Sequence, residues 1–539
     1  MTRNWLGLLS IGVFYVMVLA TGIWASRKSK REERKCTENR SEVAMVGRRN
    51  LNIWVSIFTM TATWVGGGYI MANASLVYNP TKGLVWALVS PIGFSLTMIL
   101  GGLFFVGPVR SKEYVTIMDP FQKKYGNTVT AIIFIPSLLA DIFWIACILG
   151  ILGGTISIVM DISSWLAVVI SAAVAIIYTL MGGLYSVAYT DVIQLCLIFI
   201  GLWLCVPFVL MSPYSTNATV TAVTQLSQQP WMGRLEVEDA GRWIDDLLLM
   251  AIGGICYQAF YQRVLSSASV TQGKVMCFSA AVLCPIFAIP SLIIGGVAAS
   301  TNWNQTSYGS PSPHERGQTG MILPIALQHL CPYFISVAGV GALAASVMSS
   351  VDSALLSAAS MLGRNVFKNI IYKKASEKCI LVVVKVSVLL CGIIGTCLAL
   401  VSTSIHLFWI ISTDVMYSMM TPQVICTLFL PQRVNHYGAC SGFVVAMVLR
   451  ALVGEPLLSL PDVLPLPWDK VKEDGHLQRL FPFCTAIMFI TTATILGVSA
   501  FSMWLSEKMQ RKRSADGVAD TGLQEIPPVQ KSLLKDESG

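Results

Sequence analysis

The amino-acid sequence predicts an all-α polytopic membrane protein. Of its 539 residues, 54% are hydrophobic and only 12% are charged, which is about half the charged fraction of an average soluble protein. Uncharged apolar runs of about 20 residues recur along the chain, and that length crosses a bilayer as a helix. The formal net charge of +8 comes from basic residues that cluster between the apolar runs. It therefore indicates membrane topology, and no nucleic-acid partner is expected.

About 13 transmembrane helices are expected from runs of this length. The first run is followed by a basic cluster from Arg27 to Lys35 and preceded only by Arg3, the reverse of a cleaved signal peptide. We therefore expect the N-terminus outside and, after an odd number of spans, the C-terminus inside. The predicted spans are 5–25, 50–75, 83–107, 129–159, 163–182, 189–212, 243–266, 273–299, 321–363, 378–401, 404–430, 437–454 and 482–506.

The loops agree with this topology. Basic residues such as Lys124, Arg263 and Arg364 are predicted to lie in interior loops or helix ends, as the positive-inside rule expects. Two glycosylation sequons, at Asn217 and Asn304, fall in the predicted exterior loops 213–242 and 300–320. A third sequon, at Asn73, is expected to lie too close to the membrane.

The spans divide the chain into six regions. Two of them, 50–212 and 243–431, each contain five helices and are predicted to be inverted repeats. The others are residues 1–49 (extracellular N-terminus, first helix and basic cytoplasmic loop), the extracellular loop 213–242, residues 432–506 (two peripheral helices with an extracellular loop) and the polar tail 507–539, which is expected to be disordered.

The opening helix of each predicted repeat is interrupted by glycine. The first carries Gly66, Gly67 and Gly68, and the second carries Gly253 and Gly254. Glycines also permit close helix packing, which is the ordinary explanation for one cluster. Clusters at corresponding positions in two repeats favour a pair of broken helices instead, because transporters place their substrate sites at such breaks.

A broken membrane helix frees carbonyl groups that a hard cation such as sodium can accept as ligands. Carbonyls near Ala62 and Val65 could supply some of these oxygens. Hydroxyl groups of a serine-rich segment could supply others, since its serines recur at helical spacing and share one face. A tight helix–helix seam is the alternative explanation. The serines concerned are Ser346, Ser349, Ser350 and Ser353.

Carboxylates within the apolar runs are costly, and each is a functional hypothesis by default. Asp352 lies one turn from Ser349, and Asp191 lies near a predicted cytoplasmic helix end, where an interfacial role is the alternative. Asp141 is one turn from Trp144 and could face the same cavity.

Aromatic residues accompany both breaks. Trp64 and Tyr257 flank them, while Phe94 and Trp144 lie in other spans of the first repeat. Singly, each would be explained by lipid contact or helix packing. Grouped around one cavity, they would offer π faces suited to an organic cation.

Metal and enzyme chemistry are not expected. The 14 cysteines form no CxxC pair or Cys/His cluster. A bond between Cys331 and Cys484 is conceivable, although nothing in the pattern supports it. The sequence has no P-loop, HExxH or G-x-S-x-G motif, and its G-x-G-x-x-A match at Gly339 lies within a predicted membrane helix.

Several long stretches resemble the sodium/solute symporters, and within that family the members that import choline. The resemblance covers about residues 5–506 and implies a LeuT-like core of two inverted five-helix repeats. The stretches that carry it are "FTMTATWVGGGYI" (58–70), "ILGGLFFVGPVRSKEYVTIMDPFQ" (99–122), "YTLMGGLYSVAYTDVIQL" (178–195), "YQRVLSSAS" (261–269), "STNWNQTSYG" (300–309) and "VMSSVDSALLSAASMLGRN" (347–365).

The resemblance also implies site residues. A choline cage maps onto Trp64, Phe94, Trp144 and Tyr257. The main sodium site maps onto the backbone of Ala62 and Val65 with Ser346, Ser349 and Ser350, and a second sodium position maps onto Asp191, Asp352 and Ser353. The choline-importing members have Tyr in place of Phe94, Trp in place of Tyr257 and Pro in place of Cys256, so this chain is expected to be a divergent paralogue.

The activity implied is sodium-driven, chloride-dependent uptake of choline across the plasma membrane, with no prosthetic group. In the resembled members this uptake supplies acetylcholine synthesis at presynaptic terminals and involves synaptic vesicles. Homo-oligomers are a further possibility. The alternatives are a symporter of another solute, such as betaine or a different organic cation, and a protein that senses choline without transporting it.

Overall fold

The computed structural model describes residues 20–28, 30–31, 40–160, 162–215, 231–401, 405–455, 460–471 and 477–521, with Gly12 and Val16 before them. Nearly all of this part of the chain is helical. The described α-helices after residue 31 are Arg40–Val46, Ile53–Trp64, Gly67–Tyr78, Gly83–Ala87, Val89–Leu100, Val106–Ser111, Asp119–Met160, Ser164–Met181, Leu184–Leu210, Ala240–Leu248, Gln258–Ser266, Val270–Ala299, Ile322–Leu330, Tyr333–Met361, Glu377–Val401, Ile405–Asp414, Thr421–Phe429, His436–Leu452 and Phe483–Thr521.

Short irregular turns of helix connect or interrupt these elements. The π-helical segments are Gly101–Phe105, Leu249–Gly253, Leu362–Ile371 and Val415–Met420. The 3₁₀ turns are Pro213–Ser215, Val237–Asp239, Gly254–Cys256, Trp303–Gln305 and Thr319–Met321. Two strands, Lys470–Val471 and Leu477–Gln478, pair antiparallel in a predicted exterior loop.

Eight described helices are long and apolar enough to cross a membrane, and a ninth span is formed if Val237–Cys256 and Gln258–Ser266, which meet at 51°, are counted together. Shorter apolar helices occur at Ile53–Trp64, Thr319–Leu330 and His436–Leu452. Each predicted span from 50–75 onward has a helical counterpart. The span 5–25 lies mostly outside the described residues, so the number thirteen stays a prediction.

The first broken helix consists of Ile53–Trp64 and Gly67–Tyr78. At the interruption it packs closely against Tyr333–Met361, which we call the serine-rich helix. A Cβ added at Gly66 would lie 1.9 Å from Ser350 Oγ, and one at Gly67 would lie 2.2 Å from Val347 Cγ2. Only glycine permits this approach, and Val65 between the two halves has a non-helical backbone (φ −80°, ψ 59°).

The second broken helix consists of Val237–Cys256 and Gln258–Ser266. It loosens into π and then 3₁₀ turns before Tyr257, whose backbone is extended (φ −73°, ψ 136°). A Cβ at Gly254 would lie 2.8 Å from Thr97 Oγ1 and 3.4 Å from Trp64 Cη2. The two breaks therefore face each other across the middle of the protein.

Two expectations need correction here. The predicted span 321–363 is two helices, Ile322–Leu330 and Tyr333–Met361, because Pro332 disfavours a helical backbone at the preceding Cys331 (φ −105°, ψ 152°). The last helix also continues to Thr521, past residue 507, where the polar tail was expected to begin. Residues 522–539 lie outside the described residues.

Candidate functional site

The four aromatic residues predicted from the sequence meet at the two breaks, and we call this group the aromatic box. Trp64 ends the first half of the first broken helix, and its ring centroid lies 5.1 Å from Phe94, 6.5 Å from Trp144 and 6.0 Å from Tyr257. Trp144 and Tyr257 are 5.3 Å apart. Most of these pairs are edge-to-face, an arrangement that aromatic quadrupoles favour.

The box surrounds a small cavity of about 30 Å³, which has room for one or two water molecules. No charged side chain lines it within the described residues. Tyr69, Trp409 and Thr413 also line it, and the sequence analysis did not select them. Tyr69 closes the glycine motif and stacks on Phe94 at 5.2 Å, so its position beside the break could have identified it. Nothing in the local sequence around Trp409 and Thr413 predicts that they line this cavity.

A second cavity, of about 380 Å³, adjoins the box and shares Gly68, Cys147 and Trp409 with it. Its remaining lining includes Ser75 and Asn79 on the outer half of the first broken helix, together with residues 317–321. Because the loop 300–320 is predicted to be exterior, this second cavity lies on the predicted exterior side of the box.

The predicted sodium ligands lie together between the first broken helix and the serine-rich helix. Ser349 Oγ is 3.1 Å from the Ala62 carbonyl oxygen and 2.9 Å from the Ser346 carbonyl oxygen. Ser350 packs against Gly66, next to Val65. All five predicted residues, Ala62, Val65, Ser346, Ser349 and Ser350, are buried. The donor set is oxygen from carbonyls and hydroxyls, which suits a hard monovalent cation.

The predicted second sodium position contains an unexpected cation. Asp191 is fully buried, accepts a hydrogen bond from Thr59 at 2.5 Å, and lies 3.5 Å from the guanidinium of Arg263. The same guanidinium donates to Ser353 Oγ. Asp352 is fully buried too, and it makes no ion pair within the described residues.

These contacts bear on two expectations. Arg263 lies in the last turn of Gln258–Ser266, as expected for a helix end, but its side chain is completely buried and faces a carboxylate distant in sequence. Asp191 was placed near a helix end, yet it lies two turns into Leu184–Leu210. Asp141, which could have faced the box, is buried without a hydrogen-bond partner among the described residues and does not line the cavity.

Surface features follow the expectations in part. Asn304 is exposed in the turn Trp303–Gln305, so its sequon is accessible. Asn217 lies outside the described residues. Asn73 is fully buried, in agreement with the exclusion of its sequon. Cys331 and Cys484 are both free, so the conceivable bond between them is absent from this structure.

Comparison with known proteins identifies the class. Residues 45–446 match the sodium:solute symporter family, and the chain belongs to that family. It is therefore a transporter and not an enzyme. The chain is also similar to a solved structure of a sodium-coupled sialic acid symporter in a substrate-bound, outward-open state, with a TM-score of 0.70 and 18% identity over 92% of this chain and 98% of that one. That likeness confirms the predicted fold class.

Individual relatives narrow the class further. The chain is 46% identical to the high affinity choline transporter 1 of Homo sapiens over 93% of this chain and 86% of the relative. It is 40% identical to the high-affinity choline transporter 1 of Drosophila melanogaster over 95% of this chain and 81% of the relative. The corresponding protein of Caenorhabditis elegans is 39% identical over 92% and 85% of the two chains.

Proposed function

We propose that this protein imports choline across the plasma membrane by sodium-coupled alternating access. The observation that carries the proposal is the uncharged aromatic box formed by Trp64, Phe94, Trp144 and Tyr257. A quaternary ammonium cannot donate hydrogen bonds, and π faces bind it without a carboxylate. The relatives named as choline transporters support the same substrate.

Sodium and choline meet on one segment of chain. In this mechanism a sodium ion binds to backbone carbonyls and serine hydroxyl groups. The carbonyls belong to Ala62 and Val65, and the serines are Ser346, Ser349 and Ser350. Trp64 lies between Ala62 and Val65 in sequence, so an ion that orders the break also orders one wall of the box. Sodium binding would then favour the form that accepts choline. When sodium and choline are both bound, the site closes to the outside and then opens to the inside.

The driving force is adequate for uptake. A tenfold sodium gradient supplies about 1.4 kcal/mol per ion. The membrane potential adds about 2.3 kcal/mol per charge per 100 mV, and it acts on choline as well as on sodium because both are cations.

Further features of the cycle rest on the family resemblance. We place a second sodium ion near Asp191, Asp352 and Ser353, where it would share its ligands with Arg263. The proposal also includes chloride dependence and a homo-oligomeric state. It places the N-terminus outside the cell and the C-terminus in the cytoplasm, with glycosylation at Asn217 and Asn304. A role at presynaptic terminals and synaptic vesicles, supplying acetylcholine synthesis, would follow from choline uptake.

Uptake into proteoliposomes tests the proposal. Labelled choline should accumulate when sodium is outside and should not when potassium replaces it. Unlabelled choline should compete better than betaine, sugars or other amines. Betaine carries a carboxylate, and no cationic side chain in the described part of the chain lines the cavity to receive it. Choline uptake that is absent, or that ignores sodium, would refute the proposal, and binding without accumulation would indicate a sensor.

A further inference from the structure

One buried hydrogen-bond donor in the aromatic box has no partner among the described residues. Trp64 is 6% exposed, and its Nε1 atom is buried with no hydrogen-bond partner among the described residues. Buried N–H groups in folded proteins are nearly always paired, so an unpaired one on the wall of a binding cavity needs an explanation. A ligand that brings an acceptor would provide the missing partner.

The hydroxyl groups that line the same cavity already form hydrogen bonds within the protein. Each donates to a nearby carbonyl oxygen, except that the Tyr257 hydroxyl shares a hydrogen bond of 2.6 Å with Ser412 Oγ. The donations to carbonyls are Thr63 to Thr59 at 2.7 Å, Tyr69 to Cys284 at 3.0 Å, Ser350 to Ser346 at 3.4 Å and Thr413 to Trp409 at 2.9 Å.

Trp64 therefore differs from its neighbours. Of the side chains that line the cavity, it alone has a buried polar atom without a partner within the described part of the chain. Phe94 offers no polar atom at all. The wall consequently presents one fully buried, unsatisfied donor among aromatic faces, a combination that matches a cation bearing an oxygen.

We propose that Trp64 Nε1–H donates a hydrogen bond to an uncharged oxygen of the transported cation. This inference rests on the proposed function and deepens it. The substrate class becomes a quaternary ammonium with an alcohol or ether oxygen close to the nitrogen. A carboxylate is disfavoured, since a lone neutral donor cannot replace the hydration of a full negative charge. The aromatic faces hold the ammonium, and the indole N–H selects the oxygen.

A site with such a donor discriminates against an analogue that lacks the acceptor, because the donor stays buried and unpaired in that complex. Ethyltrimethylammonium is the matched analogue of choline, as it has the same trimethylammonium group and chain length without the oxygen. A typical neutral hydrogen bond corresponds to a preference for choline of about 3- to 10-fold.

The test compares the inhibition constants of choline and ethyltrimethylammonium against sodium-dependent choline uptake. In the unaltered protein choline should bind about 3- to 10-fold more tightly. Replacing Trp64 by 3-benzothienylalanine, which keeps the ring and exchanges N–H for sulfur, should reduce the ratio to below about 2-fold. Trp64→Phe provides a second variant without the N–H if the first does not accumulate in the membrane.

The matched control is the same replacement at Trp144, a partly buried ring of the same box. It should change both inhibition constants by a similar factor and leave their ratio unchanged. Equal affinities in the unaltered protein, or a ratio that survives the Trp64 replacement, would overturn the inference while leaving choline transport intact. A loss of the chloride requirement with an unchanged ratio would assign the N–H to an anion and would also overturn it. Absence of sodium-dependent choline uptake in the unaltered protein would instead contradict the proposed function.

Discussion

Both repeats open with a helix broken at glycine, but the two breaks have different surroundings. The first break packs glycine against a helix of serines, and the groups beside it are neutral oxygens such as Ala62 O and Ser349 Oγ. The second break continues into a segment with a buried charge, Arg263, paired with Asp191. The first break thus presents neutral oxygens, where we propose that a mobile sodium ion binds, whereas the second carries a fixed cation of its own, Arg263.

The largest expected effect is on the fixed cation. Arg263→Met should destabilise the protein by about 3–5 kcal/mol, because removing one partner leaves the Asp191 carboxylate buried and uncompensated. Thermal unfolding of the purified protein in detergent would measure the change as a lower melting temperature. The double variant with Asp191→Asn removes both charges and should recover more than half of the loss. Equal destabilisation in the single and double variants would contradict the pairing.

The mobile cation should respond differently. Ser349→Ala should raise the sodium concentration needed for half-maximal uptake by about 10-fold or more, since a hydrogen-bond-like contact to a charged group contributes about 1.5–3 kcal/mol. The melting temperature measured without sodium should change little.

A buried serine whose hydroxyl group donates within its own helix is the control for this variant. Ser291 donates to the Ala288 carbonyl three residues earlier at 2.8 Å, much as Ser349 approaches Ser346. Ser291→Ala should leave the sodium dependence unchanged. A similar shift in both variants would mean that Ser349 acts through helix packing.

The glycines of the first break should not be equivalent. A Cβ at Gly67 would lie 2.2 Å from Val347 Cγ2 and 3.3 Å from Val347 Cα, whereas one at Gly68 would meet nothing closer than 3.8 Å. Gly67→Ala should therefore cost about 1–3 kcal/mol through overpacking and reduce uptake. Gly68→Ala should be tolerated, although the two residues are neighbours in one motif. Uptake assays normalised to surface expression would distinguish them, and equal losses would argue for a general need for flexibility.

The sequence predicted the box well and the buried charge poorly, for one physical reason. Trp64 and Tyr257 were found because each adjoins a glycine break, which is a local signal repeated in both halves. The burial of Arg263 was missed because the positive-inside rule describes on which side of the membrane a basic residue lies and not whether its side chain is buried. Its partner Asp191 is far away in sequence, and no local sequence pattern predicts the ion pair between them. Trp409 was missed for the same reason, whereas the break before Tyr333 was readable from Pro332.

The smallest expected effect concerns the second break's contribution to the box. Tyr257→Trp should lower the apparent Km for choline by a few-fold, because indole is a better cation–π partner than phenol by about 0.5–1 kcal/mol. Tyr257→Phe serves as the control. It removes the hydroxyl that meets Ser412 at 2.6 Å but keeps a single six-membered ring, so choline affinity should change less than in the Trp variant. The sodium dependence should be the same in both, since the hydrogen-bond and ring partners of Tyr257 are Ser412, Trp64 and Trp144, and none of these is a predicted sodium ligand. A higher Km in Tyr257→Trp would mean that ring size, and not the strength of the π face, limits the second half of the box.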